Sequence, residues 1–168
     1  GLRPFGAYSG VVSTSYDSGE AARWILNHVG DLFLVVVGIP LVALAVLAYG
    51  AARGREGDPG VRALVAVSLS TSVWLTVQVG TFASRYVGQL AERDLIVAAP
   101  PLFACLAVET ARGLPRPQPA TSIIAFVVAA PAVLLPVGSL VTPKAVPDAL
   151  MTVPLARLLE ETSVTVLE

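Results

Sequence analysis

Four long stretches without a charged residue constrain this chain more than any other feature. The most apolar of them, residues 32–52, has 21 residues, of which twelve are Leu, Val, Ile or Phe. As one helix it would be about 31 Å long, close to the hydrocarbon thickness of a bilayer. On an insertion scale these side chains favour the membrane by roughly 4 to 7 kcal/mol. We therefore predict a transmembrane helix here, with Pro40 tolerated as a kink.

The second stretch, residues 63–84, predicts another transmembrane helix but carries several polar side chains. Thr71, Gln78 and Arg85 recur every seven positions, so they fall near one face of a helix. One interpretation is a stripe of hydrogen bonds between helices. The other is the wall of a cavity, lined by Thr71 and Gln78, that leads to Arg85.

The third and fourth predicted spans are residues 95–111 and 119–141. Pro100 and Pro101 predict a strong kink in the third, for which a re-entrant or interfacial segment is the alternative. In the fourth, Thr121 and Ser122 are expected to cap the helix, and internal prolines again predict a kink.

Composition points to the same fold class, an all-α polytopic transmembrane bundle with about four spans. The chain is 55% hydrophobic and 14% charged, against about 25% charged in a typical soluble domain. Its net charge of -1 provides no basic field for nucleic acid. Because the chain begins with Gly1 and ends within a renewed apolar pattern, we expect it to be a fragment of a larger protein.

The loops predict how the bundle is oriented. Residues 53–62 hold three arginines and residues 112–118 hold two, and four spans would place both loops on the same side. The positive-inside rule makes that side cytoplasmic. The extracytoplasmic side would hold segments 1–31, 85–94 and 142–168. In the first of these we expect an interfacial helix capped by Asp17, and in the last a short helix after Pro154.

A charge cluster at the outer end of the second and third spans is the candidate site. Arg85 and Arg93 are suited to clamping a lipid phosphate between them. Glu92 and Asp94 would support them, by holding a divalent cation or by taking a proton. The alternative is ordinary anchoring of helix ends at the interface. No cofactor motif is evident in the sequence.

Three further side chains are weaker candidates. We expect His28, the single histidine, to be a solvated interface residue. Cys105 lies mid-span among apolar residues and is expected to be inert. Glu109 is expected to pair with Arg112 at helical spacing, with a proton-relay role as the alternative.

Residues 85–119 resemble a recurring segment of actinobacterial multi-pass membrane proteins related to glycosyltransferases. The shared pattern is an outer Glu92-Arg93, a Pro-kinked apolar helix at Pro100-Pro101, and a basic, Pro-rich inner turn over residues 112–117. Residues 7–24 also resemble that group. The resemblance implies an enzyme that uses polyprenyl-phosphate-linked sugars outside the cytoplasmic membrane. The catalytic acid of that class has no matching position here, so no catalytic residue is assigned.

The leading hypothesis is therefore part of a glycosyltransferase-like enzyme in a bacterial cytoplasmic membrane. Its partners would be the bilayer, a polyprenyl-phosphate-linked sugar and the remaining helices of the full-length protein. One alternative is half of a transporter or flippase, with the Thr71–Gln78 face and the Pro-rich helices as a pathway. Another is a non-catalytic membrane scaffold.

Overall fold

The computed structural model describes residues 15–113, 118–140, 151–155 and 157–158, and this part of the chain is helical without a strand. Most of the predicted outer segment 142–168, the start of segment 1–31 and the middle of loop 112–118 lie outside the described residues. The elements are α1 (Ser18–Val35), α2 (Ile39–Ala52), α3 (Pro59–Phe82), a π-helical turn (Ala83–Val87), α4 (Glu92–Leu95), a 3-10 turn (Ile96–Ala98), α5 (Ala99–Ala111), α6 (Pro119–Val133) and α7 (Val137–Leu140).

The single helix predicted over residues 32–52 was wrong, because the chain breaks between α1 and α2 and bends by 110°. Val37 has a left-handed φ of 57°, and the N–H of Gly38 donates to the carbonyl of Phe33 at 2.7 Å. This is the hydrogen-bonding pattern of a Schellman helix end. Pro40 explains why α1 ends here, since the proline ring would clash with the carbonyl of Val36 if the helix continued. Pro40 instead lies in the first turn of α2, where a missing N–H costs little.

Two helical segments are long and apolar enough to cross a membrane, Pro59–Val87 and Glu92–Ala111. They match the second and third predicted spans. Pro100 lies in the first turn of α5, next to the 3-10 turn, so these prolines begin a helix rather than divide a span. If the bent pair of α1 and α2 is counted as one span, the total is three.

The fourth predicted span is not confirmed. α6 has only 15 residues, or about 22 Å, and Pro136 follows its end. Its N-cap is Gln118, so the expectation of caps at Thr121 and Ser122 was wrong. Pro119 takes the first helical position, where its fixed φ favours initiation.

The outside of the bundle is apolar, as expected of helices in contact with lipid. Trp74 is 68% exposed and Phe126 is 76% exposed. Other large apolar side chains that stand outward are Val67, Phe103 and Ile123. The described part of the chain is therefore compatible with a bilayer environment.

α1 packs against α3, α6, α4 and the π-helical turn. Two glycines allow this close packing. A Cβ at Gly80 of α3 would lie 2.7 Å from the Cα of Ile25, and a Cβ at Gly30 would lie 2.6 Å from the carbonyl oxygen of Pro131. Small residues at such contacts are typical of helix packing in membranes.

The two arginine-containing loops lie at the same end of the bundle. Arg112, just after α5, makes a bidentate ion pair with Glu56 in the loop before α3, with N–O distances of 2.6 and 3.2 Å. α3 begins at this end and carries Arg85 to the opposite one. The ion pair is therefore consistent with the prediction that both arginine-containing loops lie on the same side.

Candidate functional site

The charge cluster predicted from the sequence is divided between two clefts at the end of the bundle opposite the Glu56–Arg112 ion pair. Arg93 and Asp94 line a cleft of about 510 Å³, which we call the Arg93 cleft. Arg85 lines another of about 410 Å³, which we call the Arg85 cleft. The expected clamp by both arginines on one phosphate would need the two clefts to share a ligand.

The Arg93 cleft combines a charged rim with an apolar wall. α4 supplies Arg93 and Asp94, and the C-terminal end of α3 supplies Gln78. The apolar wall consists of Leu75, Val79, Phe82, Val87, Ala91 and Val97. Phe82 and Val97 are themselves exposed, so the wall continues onto the outer surface of the helices. Such a cleft suits an amphiphile with an anionic head group and an apolar tail.

The Arg85 cleft is polar and lies beside the start of α1. Its other lining residues are Ser15, Tyr16, Asp17, Glu20 and Ser84. Asp17 is the N-cap of α1, as predicted, and its carboxylate accepts from the N–H of Glu20 at 2.7 Å. The carboxylate of Glu20 accepts from Arg23 and from the indole N–H of Trp24. Acids of the helix start therefore share this cleft with Arg85, which makes it less suited to an anion than the Arg93 cleft.

Glu92 lies away from both clefts, although it is the neighbour of Arg93. Its carboxylate is 1% exposed and accepts three hydrogen bonds from the segment at 151–155. The donors are the N–H of Met151 at 2.5 Å, the N–H of Thr152 at 2.8 Å and the hydroxyl of Thr152 at 2.5 Å. The prediction that Glu92 would support a surface phosphate site was wrong, because its acceptor capacity is used to hold this segment against α4.

His28 is buried, with 0% of its surface exposed, so the expectation of a solvated histidine was wrong. Its Nδ1 lies 2.7 Å from the carbonyl of Trp24, and the N–H of Ala91 donates to its Nε2 at 3.4 Å. A ring that donates at Nδ1 and accepts at Nε2 is a neutral imidazole. Trp24 is also buried beside it, with the two ring centroids 5.9 Å apart.

Of the polar face predicted on α3, only one of the two cavity-lining residues lines a cleft. Gln78 lines the Arg93 cleft, but Thr71 is half-buried and lies outside the lining of both clefts. The buried face is instead a stripe with a spacing of four residues, made of Ser68, Ser72, Thr76 and Gly80. This spacing of small residues is a packing signal that is readable in the sequence.

Ser68 links α3 to α5 within this stripe. Its hydroxyl donates to the carbonyl of Pro101 at 3.3 Å, and the thiol of Cys105 donates to the Ser68 oxygen at 3.4 Å. Cys105 is thus a buried packing residue with a weak hydrogen bond, which agrees with the expectation that it is inert.

Two other sequence candidates have different surroundings from those expected. Arg112 forms its ion pair with Glu56 rather than with Glu109, and Glu109 is buried on α5. Asp31, which sequence reasoning missed, is fully buried on α1. Among the described residues, no three His, Cys, Asp or Glu side chains converge so as to hold a metal ion.

Comparison with protein-family models, with curated proteins and with solved structures finds no match to this chain.

Proposed function

We propose that this chain is part of a bacterial membrane protein that binds a polyprenyl-phosphate-linked sugar at the outer face of the cytoplasmic membrane, as a glycosyltransferase-like enzyme. The observation that carries the proposal is the Arg93 cleft, in which a guanidinium lies beside an apolar wall that is continuous with the outer helix surface. A lipid phosphate needs both features at one place. The resemblance of residues 85–119 to glycosyltransferase-related proteins supports the choice of this lipid class.

Each side chain of the cleft has a distinct proposed role. Arg93 binds the phosphate, because a guanidinium forms paired, charge-assisted hydrogen bonds with it. Gln78 and Asp94 face sugar hydroxyls, for which amide and carboxylate groups are suitable partners. Phe82 and Val97 contact the first prenyl units. No catalytic acid is assigned among the described residues.

Lipid binding by an Arg93→Gln variant tests the proposal. Loss of a charge-assisted contact of about 1.5–3 kcal/mol predicts that the affinity for a polyprenyl phosphate falls by roughly 10- to 100-fold. The measurement is titration of the detergent-purified protein with a polyprenyl phosphate, followed by native mass spectrometry.

Arg85→Gln is the matched control, since it removes the same charge from the neighbouring Arg85 cleft. We expect this variant to bind within about threefold of the wild type, which is under 1 kcal/mol. The corresponding polyprenol, which lacks the phosphate, should bind wild type and Arg93→Gln equally weakly. Wild-type affinity in Arg93→Gln, or equal losses in both arginine variants, would overturn the assignment.

A transporter or flippase is the second candidate function, and the break between α1 and α2 favours it. Helices interrupted by a left-handed turn and bent by 110° occur in transporters, where they surround a substrate pathway. This hypothesis requires movement of the lipid between leaflets. A reconstituted vesicle assay in which polyprenyl phosphate stays in its leaflet would exclude it.

A further inference from the structure

Two buried carboxyl groups meet where α1 packs against α4. Asp31 is 0% exposed and Glu92 is 1% exposed. The two groups are close enough to interact electrostatically. Two like charges in an apolar interior are strongly unfavourable unless something balances them.

Glu92 accounts for one of these charges. Glu92 is the acceptor in all three of its hydrogen bonds. Two backbone N–H groups and one hydroxyl donate to it, and between them they reach both carboxylate oxygens. Donors directed at both oxygens favour the ionised form. Glu92 is therefore the carboxylate of the pair.

Asp31 has no such partners. Within the described part of the chain, no N–H or hydroxyl group donates to either of its carboxyl oxygens, and the carboxylate of Glu92 lies close enough to accept a hydrogen bond from Asp31 if Asp31 carries a proton. An ionised carboxylate buried in this way would bear the full cost of lost hydration. A neutral carboxylic acid would not, and its O–H would be available to an acceptor.

The helices packed against α1 do not supply a compensating cation in the described region. α6 contains no titratable residue, and the one charged residue of α3 is Arg62, in its first turn at the opposite end. The π-helical turn carries Arg85 and Tyr86, and both are exposed. Arg62 and Arg85 thus both lie at the surface.

The remaining ionisable neighbours do not balance Asp31 either. His28, one turn earlier on α1, has the hydrogen bonds of a neutral imidazole, and its charged neighbour is Asp94. Arg93 is directed to its own cleft.

We propose that Asp31 and Glu92 form a proton-binding site, in which one proton is held on Asp31 while Glu92 remains ionised. The proton comes from water and returns to water, so the step is a simple protonation of a carboxylate. Loss of the proton would place a second negative charge beside Glu92. The hydrogen bonds from Met151 and Thr152 would then weaken, because repulsion between the two carboxylates would drive Glu92 away from Asp31. Proton binding is thereby coupled to docking of the segment at 151–155. This inference does not depend on the proposed lipid function.

Infrared spectroscopy of the detergent-purified chain tests the proposal directly. At neutral pH we expect the carbonyl band of a protonated, buried carboxylic acid, and we expect it to vanish in Asp31→Asn. Asp58→Asn is the matched control, because Asp58 is an exposed N-cap and Asn is an equally good cap. That variant should keep the band. Absence of the band from the wild type, or its survival in Asp31→Asn, overturns the proposal.

Hydrogen exchange at Thr152 provides a second measurement that needs no variant. As the pH is raised until the wild-type acid band disappears, protection of the Thr152 amide, corrected for intrinsic exchange, should be lost with it. In Asp31→Asn, which is neutral at every pH, protection should persist. If sodium or calcium ions restore protection in a wild type that shows no acid band, the pair binds a cation and the proton assignment is wrong.

Discussion

Gly80 and Gly30 are the residues that set how closely α1 approaches its neighbours. The neighbouring atoms at both positions are backbone atoms, namely the Cα of Ile25 and the carbonyl of Pro131, which cannot rotate away as a side chain can. A methyl group at either position therefore requires two helices to move apart. Overpacking of this kind costs about 1–3 kcal/mol.

We expect Gly80→Ala to lower the free energy of unfolding by about 1–3 kcal/mol relative to Gly50→Ala, which serves as its control. Gly50 is also helical, but a Cβ there would meet nothing within 4 Å. Gly50→Ala should therefore show only the gain in helix propensity, up to about 1 kcal/mol. Thermal unfolding in detergent, followed by circular dichroism, measures both. Equal stability of the two variants would contradict the close packing of α1 on α3.

Helix geometry explains why the side chains of Glu92, Arg93 and Asp94 lie in different surroundings. Successive residues on a helix are about 100° apart, so three neighbours cannot all face one ligand. Arg93 and Asp94 line the cleft, whereas Glu92 and Leu95 are directed inward. A run of charges in the sequence therefore divides into a surface pair and a buried acid. The sequence could not identify the buried member, because its partners at 151 and 152 are 59 and 60 residues away.

At the scale of elements, the ion pair between Glu56 and Arg112 joins the loop before α3 to the end of α5. The Arg112 guanidinium holds the pKa of Glu56 below its ordinary value of 4.5, and the N–H of Asp58 acts in the same direction. A carboxylate whose folded pKa is lowered stabilises the fold above its unfolded pKa. That contribution is lost as the pH falls through the folded pKa.

We expect Glu56→Gln to be less stable than the wild type at neutral pH, and the difference to vanish at a pH below the folded pKa of Glu56. The reason is that protonation of wild-type Glu56 removes the same charge as the substitution does. Unfolding temperatures in detergent across this acid range are the measurement. Arg112→Gln should show a loss of the same sign, and the double variant should lose less than the sum of the two. A difference that stays constant with pH would show that the charge of Glu56 is not the cause.

The break between α1 and α2 shows why the elements were only partly predictable. The apolar pattern correctly located helices over residues 63–84 and 95–111, because apolar composition and length decide membrane-compatible helices. The same pattern over residues 32–52 predicted one helix, although α1 ends and α2 begins within it. What ends α1 is the geometry of Val37 and Gly38 together with the ring of Pro40, and hydropathy does not contain that information.

At the scale of the whole molecule, the two ends of the bundle have different chemistry. One end carries the arginine-containing loops joined by Glu56 and Arg112, and the other carries the two clefts and the buried Asp31. Loop charge allowed the grouping of the loops to be predicted. The number of spans could not be predicted in the same way, because α6 has a suitable composition but is interrupted after 15 residues.

We expect these two ends to lie on opposite faces of a membrane, with the arginine-containing loops in the cytoplasm. Single cysteines at exposed Ser15 and Arg55, in a Cys105→Ala background, test it by labelling in intact cells with a membrane-impermeant maleimide. In that orientation we expect Ser15→Cys to be labelled from outside, and Arg55→Cys to be labelled only after the cells are permeabilised. Labelling of both positions from the same side would contradict it.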